Sequence, residues 1–196
     1  MGLLLGKITV ETPKYEVLHT CPDYEIRSYS PCVVAEVTYP TGHDRDAGFK
    51  ILADYIGALG PPRNRRIEKI PMTAPVITAG EKIAMTAPVL TAGGKGGGEV
   101  TMRFVLPSSE YARADEAPAP LDERVAVRDE AAGKYAVARF SGVATEAAVA
   151  ERVERLRRSL ERDGRRVVGE YVLARYNPPW TLPPLRTNEV MLPVED

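Results

Sequence analysis

One heptapeptide occurs twice, thirteen residues apart: Ile70-Pro71-Met72-Thr73-Ala74-Pro75-Val76 and Ile83-Ala84-Met85-Thr86-Ala87-Pro88-Val89. Its alternating apolar residues ask for a strand. The proline near its end forbids a central ladder position there, because proline has no N–H to donate. The likeness extends outward on both sides, as a local tandem duplication would leave it. Two copies are too few for a solenoid, so the chain must fold as an ordinary domain that accommodates two similar strands.

The rest of the sequence supplies strands and two helices. Short strand-like runs at 15–18 and 24–29 flank a Cys21-Pro22-Asp23 turn, and 32–39 is β-branched and partly alternating. Apolar residues Phe49, Ile51, Leu52, Tyr55, Ile56 and Leu59 recur at spacings of three and four, which predicts a helix over about 44–59 that Gly57 and Gly60-Pro61-Pro62 end. After the repeats, the glycine run at 93–98 lacks the Lys-Ser/Thr ending of a phosphate loop and reads as a flexible connector. A strand is predicted at 99–106, a loop at 107–123 and strands at 124–129 and 134–141. A helix capped by Thr145 runs to about 163, with Val149, Val153, Leu156 and Leu160 on one face. Gly164 stops it, and strands at 170–176 and 188–194 close the chain around a stiff Pro- and Trp-containing loop.

Each half thus reads as strands, one helix, strands. The expected architecture is α+β: a distorted antiparallel β-barrel of two pseudo-symmetric halves, about 15–92 and 99–194, flanked by two helices in a single domain spanning 1–196. With 44% apolar residues, the 196-residue chain can bury a sizeable core. A net charge of −1 gives no electrostatic footprint for nucleic acid. No run is long enough for a membrane span, so no stable membrane insertion is expected. The N-terminal apolar stretch lacks a basic leader, and two cysteines fit a reducing compartment, so a cytoplasmic location is expected. Gly6 stands where a myristoylation motif would carry Ser or Thr.

Catalytic motifs are scarce. The two histidines, His19 and His43, belong to no metal-ligand spacing, and neither a Cys-x-x-Cys nor a Gly-x-Ser-x-Gly elbow occurs. His19, beside Cys21-Pro22, and His43, just before the first helix, are weak candidates for ligating a haem iron, against a turn residue and a cap in the plainer reading. Met72 and Met85 read as core residues rather than iron ligands. The arginines of the second helix alternate with Glu151, Glu154 and Glu161, as on a solvated, salt-bridged face.

The chain resembles the SOUL haem-binding family over nearly its whole length, and most closely its cytosolic members from plants and green algae. The landmarks are Tyr24-Glu25-Ile26-Arg27, Phe49 through Tyr55-Ile56-Gly57, the Lys-Ile-x-Met-Thr-Ala-Pro-Val repeat, Met102-Arg103-Phe104, Arg139-Phe140-Ser141-Gly142, Ala174-Arg175-Tyr176-Asn177-Pro178-Pro179 and Arg186-Thr187-Asn188-Glu189-Val190. The resemblance implies reversible, non-covalent binding of haem, protoporphyrin or a related tetrapyrrole in a shallow apolar cleft along the first helix and beneath the late loop. Residues expected to meet the macrocycle are Phe49, Leu52, Ala53, Ile56, Tyr176, Trp180 and Leu182, with Arg45, Lys50 and Arg175 or Arg186 for the propionates. A histidine that some animal members carry as a proposed iron ligand is Ser28 here. The leading expectation is a cytosolic tetrapyrrole carrier or buffer. Two alternatives stand beside it: an enzyme removing the metal with Asp46 or Asp54 as proton donor, and a protein-interaction module.

Overall fold

A computed structural model describes residues 8, 10–40, 45–79, 99–177 and 181–195; for residues 45 and 46 it describes the backbone alone. The second repeat, the connector at 93–98, His43, Trp180 and the side chain of Arg45 lie outside the described residues.

Among the described residues, ten antiparallel strands and two helices form an α+β fold. The strands are β1 (Tyr15–Thr20), β2 (Glu25–Tyr29), β3 (Cys32–Pro40), β4 (Val76–Ala79), β5 (Glu99–Val105), β6 (Val125–Glu130), β7 (Gly133–Ser141), β8 (Arg166–Val167), β9 (Val172–Arg175) and β10 (Thr187–Glu195). The helices are α1 (Arg45–Ile56) and α2 (Glu146–Arg162). Strand order is β1-β2-β7-β10-β9-β4-β5-β3-β6, with β8 on β10. Among the described residues no ladder joins β1 to β6, so the expected barrel is a curled half-barrel with two edges.

The order has an internal symmetry. Reading outward from the central β4·β9 pair gives β4-β5-β3-β6 on one side and β9-β10-β7-β2 on the other. Each side uses one helix, inserted after its third strand from the centre. The equivalent units are therefore β3 to β5 and β7 to β10, with β6 and β2 as flanking strands. The expected division at 92/99 falls inside the first of these units. The reason is that β2 pairs with β7 rather than with its sequence neighbour β3.

Register places both helices on one face of the sheet. Phe140, Asn188, Arg175, Val76, Phe104 and Ala35 are successive cross-strand partners, and directly opposed residues point to the same face. Phe104 and Ala35 sit in the core under α1, together with Leu52 and Ile56, whereas Phe140 sits in the core under α2 with Val149, Val153, Leu156 and Leu160. α2 starts as expected: Thr145 Oγ1 accepts a hydrogen bond from Ala148 N at 3.2 Å.

The local differences from expectation have identifiable causes. α1 stops at Ile56, short of 59, because Gly57 takes φ +76 and Ala58 N bonds back to Ala53 O at 2.9 Å. The first heptapeptide enters the sheet only at its last residue; Pro71 and Pro75 break the ladder, and β4 runs from Val76. Met72 consequently lies outside the core, 39% exposed. The two-residue β8 is too short to leave a periodic signal. No helix among the described residues is long and apolar enough to cross a membrane.

Candidate functional site

α1 divides the expected ligand residues into two groups. Leu52, Ala53 and Ile56 are 0%, 0% and 2% exposed and belong to the core with Val33, Val37 and Phe104. They anchor the helix to the sheet and offer no surface to a ligand. Phe49 is half-buried at the margin, edge-on to Phe104 with ring centroids 5.4 Å apart. Phe49 and Ile51 are two residues apart, so they project about 200° apart on opposite flanks of the helix.

The Phe49 flank faces the centre of the sheet. From Phe104, the same row passes through Val76 on β4 to Arg175 on β9, two strand spacings or about 10 Å. Thr78, two residues on, shares that face and accepts a hydrogen bond from Arg175 Nη1 at 3.1 Å. The late loop leaves β9 immediately after Arg175. Its described part is fixed by Arg186 Nε to Thr181 O (2.8 Å) and Thr187 N to Asn177 Oδ1 (2.7 Å), and a 3-10 turn spans Pro183–Leu185. These bonds hold Leu182 and Leu185 out in solvent, Leu182 at 57% exposure. The strip of the helix-bearing face over β4 and β9, a trough between α1 and α2, carries Val76, Thr78 and Arg175, with Phe49 toward its α1 margin. At its α2 margin Thr78 and Arg175 line a small cavity with Val149 and Tyr171, and the late loop starts from the end of β9.

The Ile51 flank borders a separate groove of about 300 Å³, lined by Ala47, Lys50, Ile51, Asp54, Tyr55, Arg63, Asp122 and Arg124. Its charges are largely engaged with one another: Lys50 Nζ lies 2.8 Å from Asp54, and Arg124 Nη2 lies 2.6 Å from Asp122. The Arg124 hydrogen bonds hold the Asp122 carboxyl down at about 2, against the burial that would raise it. Lys50 and Asp54 are thus placed on this groove, away from the trough. Arg63 and Arg124 lie in segments without periodicity, and only the Asp122-x-Arg124 spacing hints at the pair.

Tyr176 follows Arg175 and, by strand alternation, turns to the opposite face. There it donates to Glu189 Oε2 at 2.7 Å, while Arg27 Nη1 meets Glu189 Oε1 at 3.0 Å and the Tyr29 hydroxyl at 3.2 Å. Burial, and then the Glu189 charge, push the Tyr176 phenol far above its ordinary range. Burial likewise takes Tyr29 up to about 12, although its bond from Arg27 acts the other way. This is a neutral-phenol, buried-ion-pair network that stiffens the sheet, and it removes Tyr176 from the trough.

His19 is exposed on edge strand β1, four strand spacings, roughly 19 Å along the sheet, from β9. That separation along the sheet places it apart from the strands that carry Val76 and Arg175. Among the described residues, no cluster of three or more His, Cys, Asp or Glu side chains is poised for a metal ion.

Similarity to known proteins bears on the fold and the family. No curated protein matches the chain. Among solved structures, the C-terminal domain of EcmrR is 12% identical, with a TM-score of 0.59 over 93% of this chain and 98% of that one. An uncharacterized conserved protein from Listeria innocua is 13% identical, with a TM-score of 0.60 over 88% and 92%, and a hydrolase from Listeria innocua is 13% identical, with 0.56 over 91% and 94%. At such identities the likeness is one of fold. The SOUL heme-binding protein family matches residues 10–193. With a match spanning both helices and the whole sheet, the chain belongs to the SOUL haem-binding protein family.

Proposed function

We propose that this protein is a reversible carrier or buffer of haem or a related tetrapyrrole, acting in the cytosol and holding the macrocycle in the trough along α1 and under the late loop. Membership of a haem-binding family supports the ligand class. The observation that supports the site is an exposed apolar loop, Leu182 and Leu185, tied in place just after Arg175 of β9, which shares the helix-bearing face with Phe104, the partner of Phe49. An immobilised apolar surface loses little entropy on binding. Burying about 300–400 Å² of apolar ligand surface contributes on the order of 8–10 kcal/mol before ordering costs, enough for useful affinity without an iron bond.

Phe49 and Leu182, with Trp180 on the same loop, form the plate contacts in this reading. Arg175 and Arg186, and Arg45 at the start of α1, supply positive charge for the propionates. The donor set fits a planar apolar ligand whose metal is a passenger, since the described residues near the trough are carbon-rich and carry guanidiniums rather than imidazoles or thiolates. The metal-removing enzyme gains no support from Asp54, which is held by Lys50 on the far groove.

Titration with haem and with metal-free protoporphyrin, on the parent protein and on Leu182→Glu and Ile51→Glu, tests the reading. The two ligands are expected to bind with affinities within a few-fold of each other. Leu182→Glu should weaken both about tenfold, and Ile51→Glu should leave both unchanged. Loss confined to Ile51→Glu would move the site to the charged groove, and absence of saturable binding would refute the carrier. A rise in porphyrin fluorescence on incubation with haem would favour the enzyme instead.

A further inference from the structure

We propose that the strand slot between β5 and β9 accepts either of two segments of this chain: residues 68–80, of which 68–79 fill it here, or their tandem copy at 81–93. The two segments read Glu-Lys-Ile-Pro-Met-Thr-Ala-Pro-Val-Ile-Thr-Ala-Gly and Glu-Lys-Ile-Ala-Met-Thr-Ala-Pro-Val-Leu-Thr-Ala-Gly, identical at eleven of thirteen positions.

The slot is defined by contacts that the first segment makes along its length. Glu68 Oε1 accepts from the Tyr111 hydroxyl at 2.5 Å. Ile70 is buried, and its N–H donates to Ile56 O at the end of α1 at 3.0 Å. Thr73 Oγ1 donates to Val105 O, and Ala74 N donates to Glu11 O at 3.0 Å. Val76, Ile77, Thr78 and Ala79 pair with β5 on one side and β9 on the other, and Thr78 receives Arg175. Thirteen residues later the same residue types recur in the same order: Glu81, Ile83, Thr86, Ala87, Val89, Thr91 and Ala92. A shift by one whole copy therefore restores every one of these contacts.

The two differences do not discriminate strongly. Pro71, where the copy has Ala84, is exposed. Ile77, where the copy has Leu90, is half-buried, and an Ile-to-Leu exchange conserves volume. The entry to the slot is balanced between the two: the first segment has buried Asn64 bonding Glu68 N and O at 3.1 and 2.7 Å, a residue whose equivalent before the copy is Ile77, whereas the copy is relieved of a strained residue. Ile67, the residue before Glu68, is held at φ +53, a left-handed conformation that a β-branched residue adopts only under strain. The residue before Glu81 is Gly80, which adopts it freely. Connector lengths permit both registers. The shift shortens the link to β5 from nineteen residues, 80–98, to six, 93–98, an ordinary connection length. The thirteen residues move to the link from α1, and closure entropy depends on length only logarithmically.

Proline scanning separates a two-occupant slot from a single one, because proline cannot donate to a central ladder. Ile77→Pro and Leu90→Pro are each expected to keep a cooperative thermal transition close to the parent's, and the double variant to lose it. If residues 68–80 are the sole occupant, Ile77→Pro alone collapses the fold and Leu90→Pro is silent; that result overturns the proposal. Cysteine trapping in a Cys21→Ser, Cys32→Ser background reads the occupant directly. Ala79 lies opposite Thr101, so Ala79→Cys with Thr101→Cys reports the first register and Ala92→Cys with Thr101→Cys the second. Both pairs should close within one chain. A 92–101 bond that never forms, or forms only between chains, also overturns the proposal.

Discussion

At the residue scale, the buried charges sit on the face away from the helices. Arg27 and Glu189 are about 5% exposed at their side chains and 3.0 Å apart. Removing one member of such a pair leaves a buried charge uncompensated, at a cost of about 3–5 kcal/mol. Glu189→Ala should fall at the lower end of that range, because Glu25 still meets Arg27 Nε at 2.8 Å. Replacing both Arg27 and Glu189 by methionine should cost less than Glu189→Ala alone; urea denaturation of the set measures the difference. The Asp122–Arg124 pair behaves differently, being on the surface. Its folded-state carboxyl is depressed from 3.8 to about 2, so its contribution is present above the unfolded value and disappears as pH falls through about 2. Solvent screening limits it to about 0.2–1 kcal/mol. The stability gap between the parent and Asp122→Asn should therefore be present at pH 6 and close toward pH 2. The Asp122-x-Arg124 spacing hints at the surface pair, but the buried network leaves no trace in the sequence. Glu189 and Arg27 are 162 positions apart, and only the strand register brings them together. The resemblance places Tyr176 at the ligand as the start of the late loop; alternation along the strand sends it to the face opposite Arg175.

At the element scale, punctuation residues carried most of the readable signal. Periodicity located both helices, and glycines marked their ends, because a left-handed terminal residue is a local requirement that needs no tertiary information. Gly57 shows how firmly. A Cβ there would come within 2.9 Å of Pro62 Cβ, at a φ of +76. Gly57→Ala should destabilise by more than the left-handed penalty of about 1–2 kcal/mol alone, and thermal unfolding would show it; a loss confined to that range would mean that the Pro62 turn moves aside. Because Arg63, on the far side of that turn, lines the charged groove, the same variant probes whether the groove depends on the helix end. The heptapeptide was misread for a related reason. Its apolar alternation resembles a strand, but Pro71 and Pro75 keep the chain outside the ladder until Val76. Side-chain pattern reports which residues seek burial, whereas the missing N–H groups decide where pairing starts. The trough followed from neither signal alone, since Phe49 and Arg175 are more than 120 positions apart and share a face only through the β4·β9 pairing.

At the scale of the whole molecule, the element order of the two halves was readable but their true boundary was not, because β2 and β6 flank units other than those their sequence positions suggest. That interleaving has a mechanical consequence. β6 and β7 are joined by the short 131–132 link. Cutting there separates the chain into 1–131 and 132–196, yet two ladders still cross the cut: β2 with β7 over five residue pairs and β4 with β9 over four. The smaller fragment holds α2 and the sheet strands beneath it, but Tyr24 and Ile26, which complete the core under α2, stay on the larger one. The core under α1 lies wholly on the larger piece, but the core under α2 is divided between the two, and each exposes an unpaired strand edge that the other covers. The smaller fragment, expressed alone, should show no cooperative unfolding. Mixed in equal amounts, the two fragments should form a 1:1 complex with a single transition and, in the carrier reading, restored tetrapyrrole binding, because Phe49 and the late loop come from opposite fragments. A cooperative transition in the smaller fragment by itself would show that its unit is an autonomous domain, and that the central pairing over which the trough lies is a docking contact rather than part of one continuous sheet.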